Sequence, residues 1–551
     1  MEDYGVKGLM LETPLLVSSL IEHAALYHGE REIVSRSVEG PIHRTTNAEV
    51  EGRAKQLVRA LERLGVGHGD RVATLAWNGH RHLELYYALS GMGAVLHTLN
   101  PRLFPEQLAY IINHAEDKYL FLDATFVPLA EALVVQLSTV RGFVMMTDEA
   151  SLPETTLPNV MAYETLVAAE SDDYGWPQFD ERTASSMCYT SGTTGHPKGV
   201  VYSHRSTVLH SMTACQTDVL GLSCRDSILP VVPMFHVNAW GIPYAAALVG
   251  AKLVFPGPRL DGAGLHELIE AEAVTFTAGV PTIWLMLLAH LKETGGTLGR
   301  LERVVSGGSA VPRSMIQTFE EDYGVRIIHA WGMTEMSPLG AVGAFKPGMA
   351  ELPATERYGI QEKQGRTIYG VEMKIVDDDD KALPRDGQAF GNLKVRGPWV
   401  CRSYYQGKSD AEEAFDGDGW FNTGDVSTLD GQGFMQIVDR TKDVIKSGGE
   451  WISSIAIENI AVGHPEVAEA CVIGIPHPKW DERPLLLIVR AKASSLDRAT
   501  MLDYFEGKIV KWWLPDDVVF VDELPHTGTG KLIKAQLRET YKDHVVPTAA
   551  A

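Results

Sequence analysis

From residue 71 to 148 the chain switches between two hydrophobic periods. Short apolar runs at 71–76, 94–99, 118–123 and 142–147 read as strands, and the stretches between them, 81–91, 105–113 and 127–136, read as helices. Strands alternating with helices of this length imply right-handed βαβ units around a parallel sheet. The stretch 149–180, rich in Glu, Asp, Pro and Ser, reads as a connection into a further strand that begins near Ala184. A second series of strands is expected at 227–232, 252–255, 274–278, 303–306 and 326–329. Several of these end in Gly- or Pro-rich turns, and in open α/β sheets ligands sit at the carboxyl ends of strands. Runs at 371–376 and 392–396 look like a small β unit whose connection opens with the aspartates 377–380, an acidic tip facing solvent. After a strand at 434–438 the pattern changes to an α+β tail, with helices at 452–462 and 499–509 and strands at 471–474, 485–491 and 518–521.

The chemistry concentrates where the strand from Ala184 ends. Thr190, Ser191, Gly192, Thr193, Thr194, Gly195, His196, Pro197, Lys198 and Gly199 form a turn before a second apolar run. Glycines there can bare their N–H groups, the hydroxyls can donate hydrogen bonds, and Lys198 supplies a point charge, which together make a phosphate cradle. The spacing is not that of a Walker A loop, because Gly199 follows Lys198 and the next residues read as strand.

Composition narrows the function classes. The 551 residues exceed one core and suit a large body with a smaller unit. With 45% hydrophobic and 22% charged residues the chain has an ordinary globular composition, and no apolar run reaches membrane-spanning length. Five scattered cysteines and no signal-peptide pattern point to a reduced, cytoplasmic setting. A net charge of −22 opposes nucleic-acid binding, so any site for a polyphosphate has to be a local basic pocket in an acidic shell. The sequence does not specify an oligomeric state, although proteins of this size are often homodimers.

The string from Tyr189 to Gly199 resembles the nucleotide-phosphate loop of the adenylate-forming superfamily, which includes acyl-CoA synthetases, luciferases and peptide-synthetase adenylation domains. Further motifs extend the resemblance to Lys531. It implies an α/β fold: a large multi-subdomain N-terminal domain with parallel sheets, residues 1–441, joined by a hinge to a small α+β C-terminal domain, residues 442–551. Pro233-Met234-Phe235-His236 resembles the aromatic gate motif, and His236, Val237, Trp240, Gly307 and Gly308 would line the acyl site. Gly308, Ser309, Ala310 and Val311 would lie against adenine. The stretch His329, Ala330, Trp331, Gly332, Met333, Thr334 and Glu335 resembles the YGMTE motif, with Trp331 in place of the usual tyrosine. Thr334 would bond the α-phosphate and Glu335 would help hold Mg²⁺. Asp425, in a match to GW(F/Y)xTGD, and Arg440 would hold the ribose, with Ile437 nearby. Lys442 falls at the hinge. Lys446, Gly448 and Gly449 resemble the loop beside the pantetheine arm of CoA, and Lys531 the catalytic lysine of PxTxxGK.

The resemblance implies an ATP-dependent acyl-CoA ligase, with ATP, Mg²⁺ and coenzyme A required and a carboxylic acid as substrate. The pocket string around Trp240 is similar to the branch that takes medium-chain acids and 3-methylmercaptopropionate. An adenylation module that passes its adenylate to another acceptor is the alternative. It is disfavoured because His236 stands where an acid would hold an amino group, and no carrier domain follows. A non-catalytic nucleotide-binding protein is disfavoured because Lys198, Glu335, Asp425, Arg440 and Lys531 are all present.

Overall fold

The computed structural model describes residues 8–190, 196–407, 414–448, 450–492, 494–526 and 532–549. Its strands form three sheets, of thirteen, seven and five strands. In the seven-stranded sheet, Val160–Ala162, Gly142–Met145, Tyr119–Leu122, Arg71–Leu75, Val95–Thr98 and Ala184–Thr190 lie side by side in parallel. Lys198–Ser203 closes its edge antiparallel, placing Thr190 opposite Lys198. The two ends of the expected phosphate loop are therefore held in one ladder.

The thirteen-stranded sheet has two halves. Glu32–Arg36, Lys252–Phe255, Ser227–Pro230, Phe276–Gly279, Arg303–Gly307 and Arg326–Gly332 are parallel, with Ile42–Thr46 antiparallel at the outer edge. Beyond Arg326–Gly332 the sheet turns antiparallel through Leu339–Val342, Gly365–Thr367, Phe434–Arg440, Phe421–Leu429, Gly391–Arg396 and Glu372–Val376. The smaller sheet is mainly antiparallel, with Asp517–Val521 added parallel to Asp481–Arg490. The expected division into a large body of parallel sheets and a small α+β tail holds.

Local sequence accounts for the helices that brace these sheets. Asn47–Arg63 starts in a capping box formed by Thr46 and Glu49 and buries Val50, Ala54, Leu57, Val58 and Leu61, which recur at helical spacing. Pro281–Thr294 begins with proline and stops at Gly295, whose φ of +68° suits glycine. Fully buried Tyr86, Tyr87 and Tyr244 belong to one large core; Ile445, Ile457, Leu486, Ile488 and Phe505 belong to a separate one. Burying one such aliphatic side chain contributes about 1.5–3 kcal/mol.

Three details depart from the hydrophobic pattern. The stretch 149–180 contains the strand Val160–Ala162 and the helix Tyr163–Ala168, both too short to stand out among polar neighbours. The expected helix at 127–136 ends at Leu133 and finishes as a 3₁₀ turn. The strands at 372–376 and 391–396 are not a separate unit but the far edge of the thirteen-stranded sheet. The acidic run is their exposed turn: Asp377 accepts from the N–H groups of Asp379 and Lys381, and Lys394 pairs with Asp380 at 2.7 Å.

Candidate functional site

Lys198 and Glu335 are brought together by a residue that sequence reasoning missed. The Lys198 ammonium lies 5.0 Å from the ring centre of Tyr404, and the Tyr404 hydroxyl donates to Glu335 Oε1 at 2.8 Å. One aromatic ring thus offers its face to the cation and its polar tip to the carboxylate. Glu335 sits on the 3₁₀ turn Thr334–Met336, and its carbonyl accepts from the Cys401 N–H at 2.7 Å. The Thr334 carbonyl accepts from Tyr202 Oη at 2.7 Å, which ties the turn to the strand Lys198–Ser203. Tyr405 N donates to the Gly199 carbonyl at 2.8 Å, and a Cβ on Gly199 would sit 3.0 Å from the Tyr189 ring. Gly199 is therefore a close-approach glycine. His196 stacks on Tyr110 with ring centres 4.4 Å apart. Ser191, Gly192, Thr193, Thr194 and Gly195 lie outside the described residues.

A second group sits where the thirteen-stranded sheet turns antiparallel. Trp331 Nε1 donates to Asp425 Oδ2 at 3.1 Å, and Arg440 Nε meets Asp425 Oδ1 at 3.0 Å. Asp425 and Arg440 are directly opposed on neighbouring strands, and Asp425 is buried. The indole in place of the usual phenol thus spends its one N–H donor on the Asp425 carboxylate. Ile437 is held through its N–H by Gln364 Oε1 at 2.6 Å, another residue the motifs did not mark.

Gly307 ends the strand Arg303–Gly307, and Gly308 follows it at φ +84°. Val311 is buried, whereas Ser309 is exposed. His329, opposite Ser306 in the ladder, is buried with neither ring nitrogen hydrogen-bonded to a described residue. Burial holds its pKa down at about 4, so the imidazole is neutral.

Beside this edge the backbone does something unusual. Val237, Asn238, Ala239 and Trp240 have φ of 45°, 48°, 51° and 56°, and Gly241 follows at 73°. This is a left-handed helical turn, closed by hydrogen bonds from Ala239 N to the His236 carbonyl and from Gly241 N to the Asn238 carbonyl. For L-residues that handedness is unfavourable by about 1–2 kcal/mol per residue. The turn puts the Trp240 ring against Gly307, where a Cβ would lie 3.3 Å from the indole. His236 caps the turn from its N-terminal side and is half-buried. On the other side a Cβ on Gly241 would come within 2.7 Å of the His210 ring, so only glycine fits.

The remaining expected residues lie in or near the smaller unit. Lys442 is exposed, two residues beyond the end of the strand Phe434–Arg440. Asp439 at the end of that strand faces the smaller unit: its carboxylate accepts from Ser454 and stands 3.8 Å from Lys534, which pairs with half-buried Glu458 at 2.9 Å. Lys446 lies 5.6 Å from the Trp451 ring centre, and Gly448, at φ +60°, has no room for a Cβ clear of Trp480, 3.1 Å away. Gly449 and Lys531 lie outside the described residues.

Residues 21–405 match the family model described as AMP-binding enzyme, and residues 456–531 match its C-terminal domain, described as AMP-binding enzyme C-terminal domain. The chain belongs to this family of AMP-binding enzymes. It is an acyl-CoA ligase: a carboxylate and ATP give an acyl-adenylate, and the acyl group then passes to CoA. A 3-methylmercaptopropionyl-CoA ligase of Ruegeria lacuscaerulensis is 55% identical over 536 residues, 97% of this chain and 99% of that protein. A medium-chain-fatty-acid–CoA ligase of Ectopseudomonas oleovorans is 52% identical over 544 residues, 99% of each. Among solved structures, the anthranilate CoA ligase AuaEII with anthranoyl-AMP superposes with a TM-score of 0.85 at 25% identity, covering 98% of this chain and 99% of that one. No helix among the described residues is long and apolar enough to cross a membrane.

Proposed function

We propose that the acid is a short- or medium-chain aliphatic carboxylate, with 3-methylmercaptopropionate among the candidates. The observation that carries this reading is the Trp240 indole lying against Gly307, which walls off the space beside the adenylate-binding edge. An indole face suits a small polarizable tail such as a thioether. The two relatives above, named for 3-methylmercaptopropionate and for medium-chain acids, support it.

In the same reading each motif takes one task. Thr190, Ser191, Gly192, Thr193, Thr194, Gly195 and Lys198 hold the phosphates; Gly308, Ser309, Ala310, Val311 and residues 329–333 enclose adenine; Asp425 and Arg440 hold the ribose. His236, Val237, Trp240 and Gly307 surround the acid. Lys446, Gly448 and Gly449 border the CoA arm, and Trp480 beside Gly448 adds an apolar wall there.

The Glu335 carboxylate fits Mg²⁺, a hard cation that takes oxygen ligands and is commonly held by one or two carboxylates plus substrate phosphates. When bound, the ion supplies charge neutralisation between the phosphate oxygens. Tyr404 fixes one oxygen of Glu335 by its hydrogen bond and so sets the carboxylate's direction.

The first step needs no general base, because a carboxylic acid of pKa about 4–5 is already ionised at neutral pH. The difficulty is bringing an anion to the α-phosphorus of a polyanion. Lys198 on the loop and Lys531, placed by its motif against both carboxylate and α-phosphate, reduce that repulsion by charge-assisted contacts. The carboxylate oxygen bonds to phosphorus as pyrophosphate leaves, and the CoA thiol sulfur later displaces AMP from the acyl carbon, losing its proton.

The second step requires the lysine to leave and the CoA arm to enter. Rotation of residues 442–551 about Lys442, against a body of residues 1–441, accomplishes both. A cytoplasmic location and a homodimer complete the proposal, the second checked by light scattering.

The test is pyrophosphate release across acids from acetate to decanoate, 3-methylmercaptopropionate and benzoate, with and without CoA. Best turnover with short or medium aliphatic acids is expected; a preference for benzoate or for the longest acid overturns the substrate reading. Lys531→Ala is expected to lower adenylation by about 10² to 10³ while preformed acyl-AMP still reacts with CoA.

A further inference from the structure

The turn at 237–241 is wound against the preference of its own backbone, so other contacts must hold it. Only one side chain in it makes a pair of described hydrogen bonds to another strand. Asn238, 5% exposed, donates from Nδ2 to Ser186 Oγ at 2.6 Å, and its Oδ1 accepts from Cys188 Sγ at 3.3 Å. Ser186 and Cys188 point the same way from the strand Ala184–Thr190, two residues apart, as the period of a strand requires. Cys188 is held in turn by Thr98 Oγ1, 3.1 Å away on the next strand. Both anchor residues are buried, so the tie is shielded from water. Asparagine also tolerates the left-handed region better than valine or tryptophan, its neighbours in the turn.

We propose that Asn238 is a positioning residue that sets acyl-chain length. Its amide ties the left-handed turn to Ser186 and Cys188, and the tied turn keeps Trp240 over Gly307 as the far wall of the acyl site. Without the tie the turn unwinds toward ordinary backbone, the indole leaves Gly307, and the site lengthens. Short acids then lose their contact with the ring, and longer acids gain room. The inference rests on the acyl-site placement given under the proposed function.

The experiment compares wild type with Asn238→Leu, Asn238→Gly, Ser186→Ala and Trp240→Ala, measuring KM and kcat for butanoate, hexanoate, octanoate and decanoate. Asn238→Leu is expected to raise KM for butanoate by about 10-fold, the loss of roughly one hydrogen-bonded contact, while KM for decanoate stays level or falls and kcat changes less. Ser186→Ala, which removes one small buried hydroxyl and leaves Asn238 in place, shifts the profile the same way by a smaller factor. Asn238→Gly separates backbone preference from the tie: it keeps the left-handed geometry accessible and must still shift the profile. A wild-type profile in Asn238→Gly and Ser186→Ala, or a KM that changes by the same factor for all four acids, overturns the inference. Trp240→Ala keeps the two levels apart. If it leaves the chain-length profile unchanged, the acyl-site placement itself fails; if it shifts the profile and the Asn238 and Ser186 variants do not, only the role of Asn238 fails.

Discussion

Tyr404 shows how much a single residue outside every motif can carry. It follows Cys401-Arg402-Ser403, a string with no catalytic signature, yet its ring and hydroxyl join Lys198 to Glu335. Hydrogen bonds to charged groups contribute about 1.5–3 kcal/mol, so Tyr404→Phe is expected to raise the KM for ATP by about 10-fold or more with little change in folding. ATP titration at fixed magnesium and a thermal melt on the same sample check both halves. His210 makes a different prediction. Its ring is buried, Nε2 accepts from the Leu339 N–H at 3.2 Å, and burial lowers its pKa to about 4. An unfolded histidine titrates near 6.5, so the neutral ring's contribution is complete above that pH and is lost as pH falls toward about 4. His210→Gln keeps an acceptor and cannot take the proton. Its stability should fall less than that of wild type between pH 6.5 and 4, by up to about 3 kcal/mol, in parallel denaturant titrations.

At the scale of elements, legibility followed pattern strength. The strands and helices between 71 and 145 stand where the alternation of periods puts them, apart from the 3₁₀ finish after Leu133. The segments from Ser18 to Arg63 carry equally clear signals in retrospect, the Thr46 and Glu49 capping box above all, and could have been read. Val160–Ala162 and Tyr163–Ala168 could not, since neither completes two periods of its own signal. Nor could the left-handed turn: valine, alanine and tryptophan there give no warning, since tertiary contacts choose the handedness. The motif residues on strand ends were readable because Gly, Asp and Lys in fixed strings have few other uses. Their partners Tyr404, Tyr202 and Gln364 come from distant segments that only the fold brings near. The strand Phe434–Arg440 gives the element-scale prediction. It carries Asp439, which faces Ser454 and Lys534 of the smaller unit, and the exposed Lys442 follows it. Lys442→Pro, by fixing φ at the proposed pivot, should slow thioester formation while sparing adenylation. Rapid-quench measurement of the two half-reactions decides it, and an unchanged thioester rate moves the pivot elsewhere.

For the whole molecule the dominant quantity is the net charge of −22. ATP and CoA are polyanions, so a net negative charge repels both before the cations at the proposed loop and ribose sites can act. Screening shortens that repulsion: the Debye length falls from about 30 Å at 0.01 M salt to about 8 Å at 0.15 M. The KM for CoA is therefore expected to fall by about twofold or more as salt rises over this range, the reverse of a basic binding surface. Initial rates at constant free magnesium test the sign. The thirteen-stranded sheet adds a mechanical link, since it runs without a break from the parallel strand that ends at Gly307 to the strand that precedes Lys442.

The turn at 237–241 also bears on how such a site can change over generations. Its five residues satisfy a rare backbone, a buried amide tie and the close seat of Gly241 on His210 all at once. Most single replacements within it break one of the three and forfeit the pocket before they can reshape it. Position 307 on the opposing wall is no freer, since a Cβ there would come within 2.6 Å of the Ala330 carbonyl oxygen on the next strand. Lineages diverging from this chain should keep the turn and Gly307 together as a fossil and record their diets elsewhere around the site.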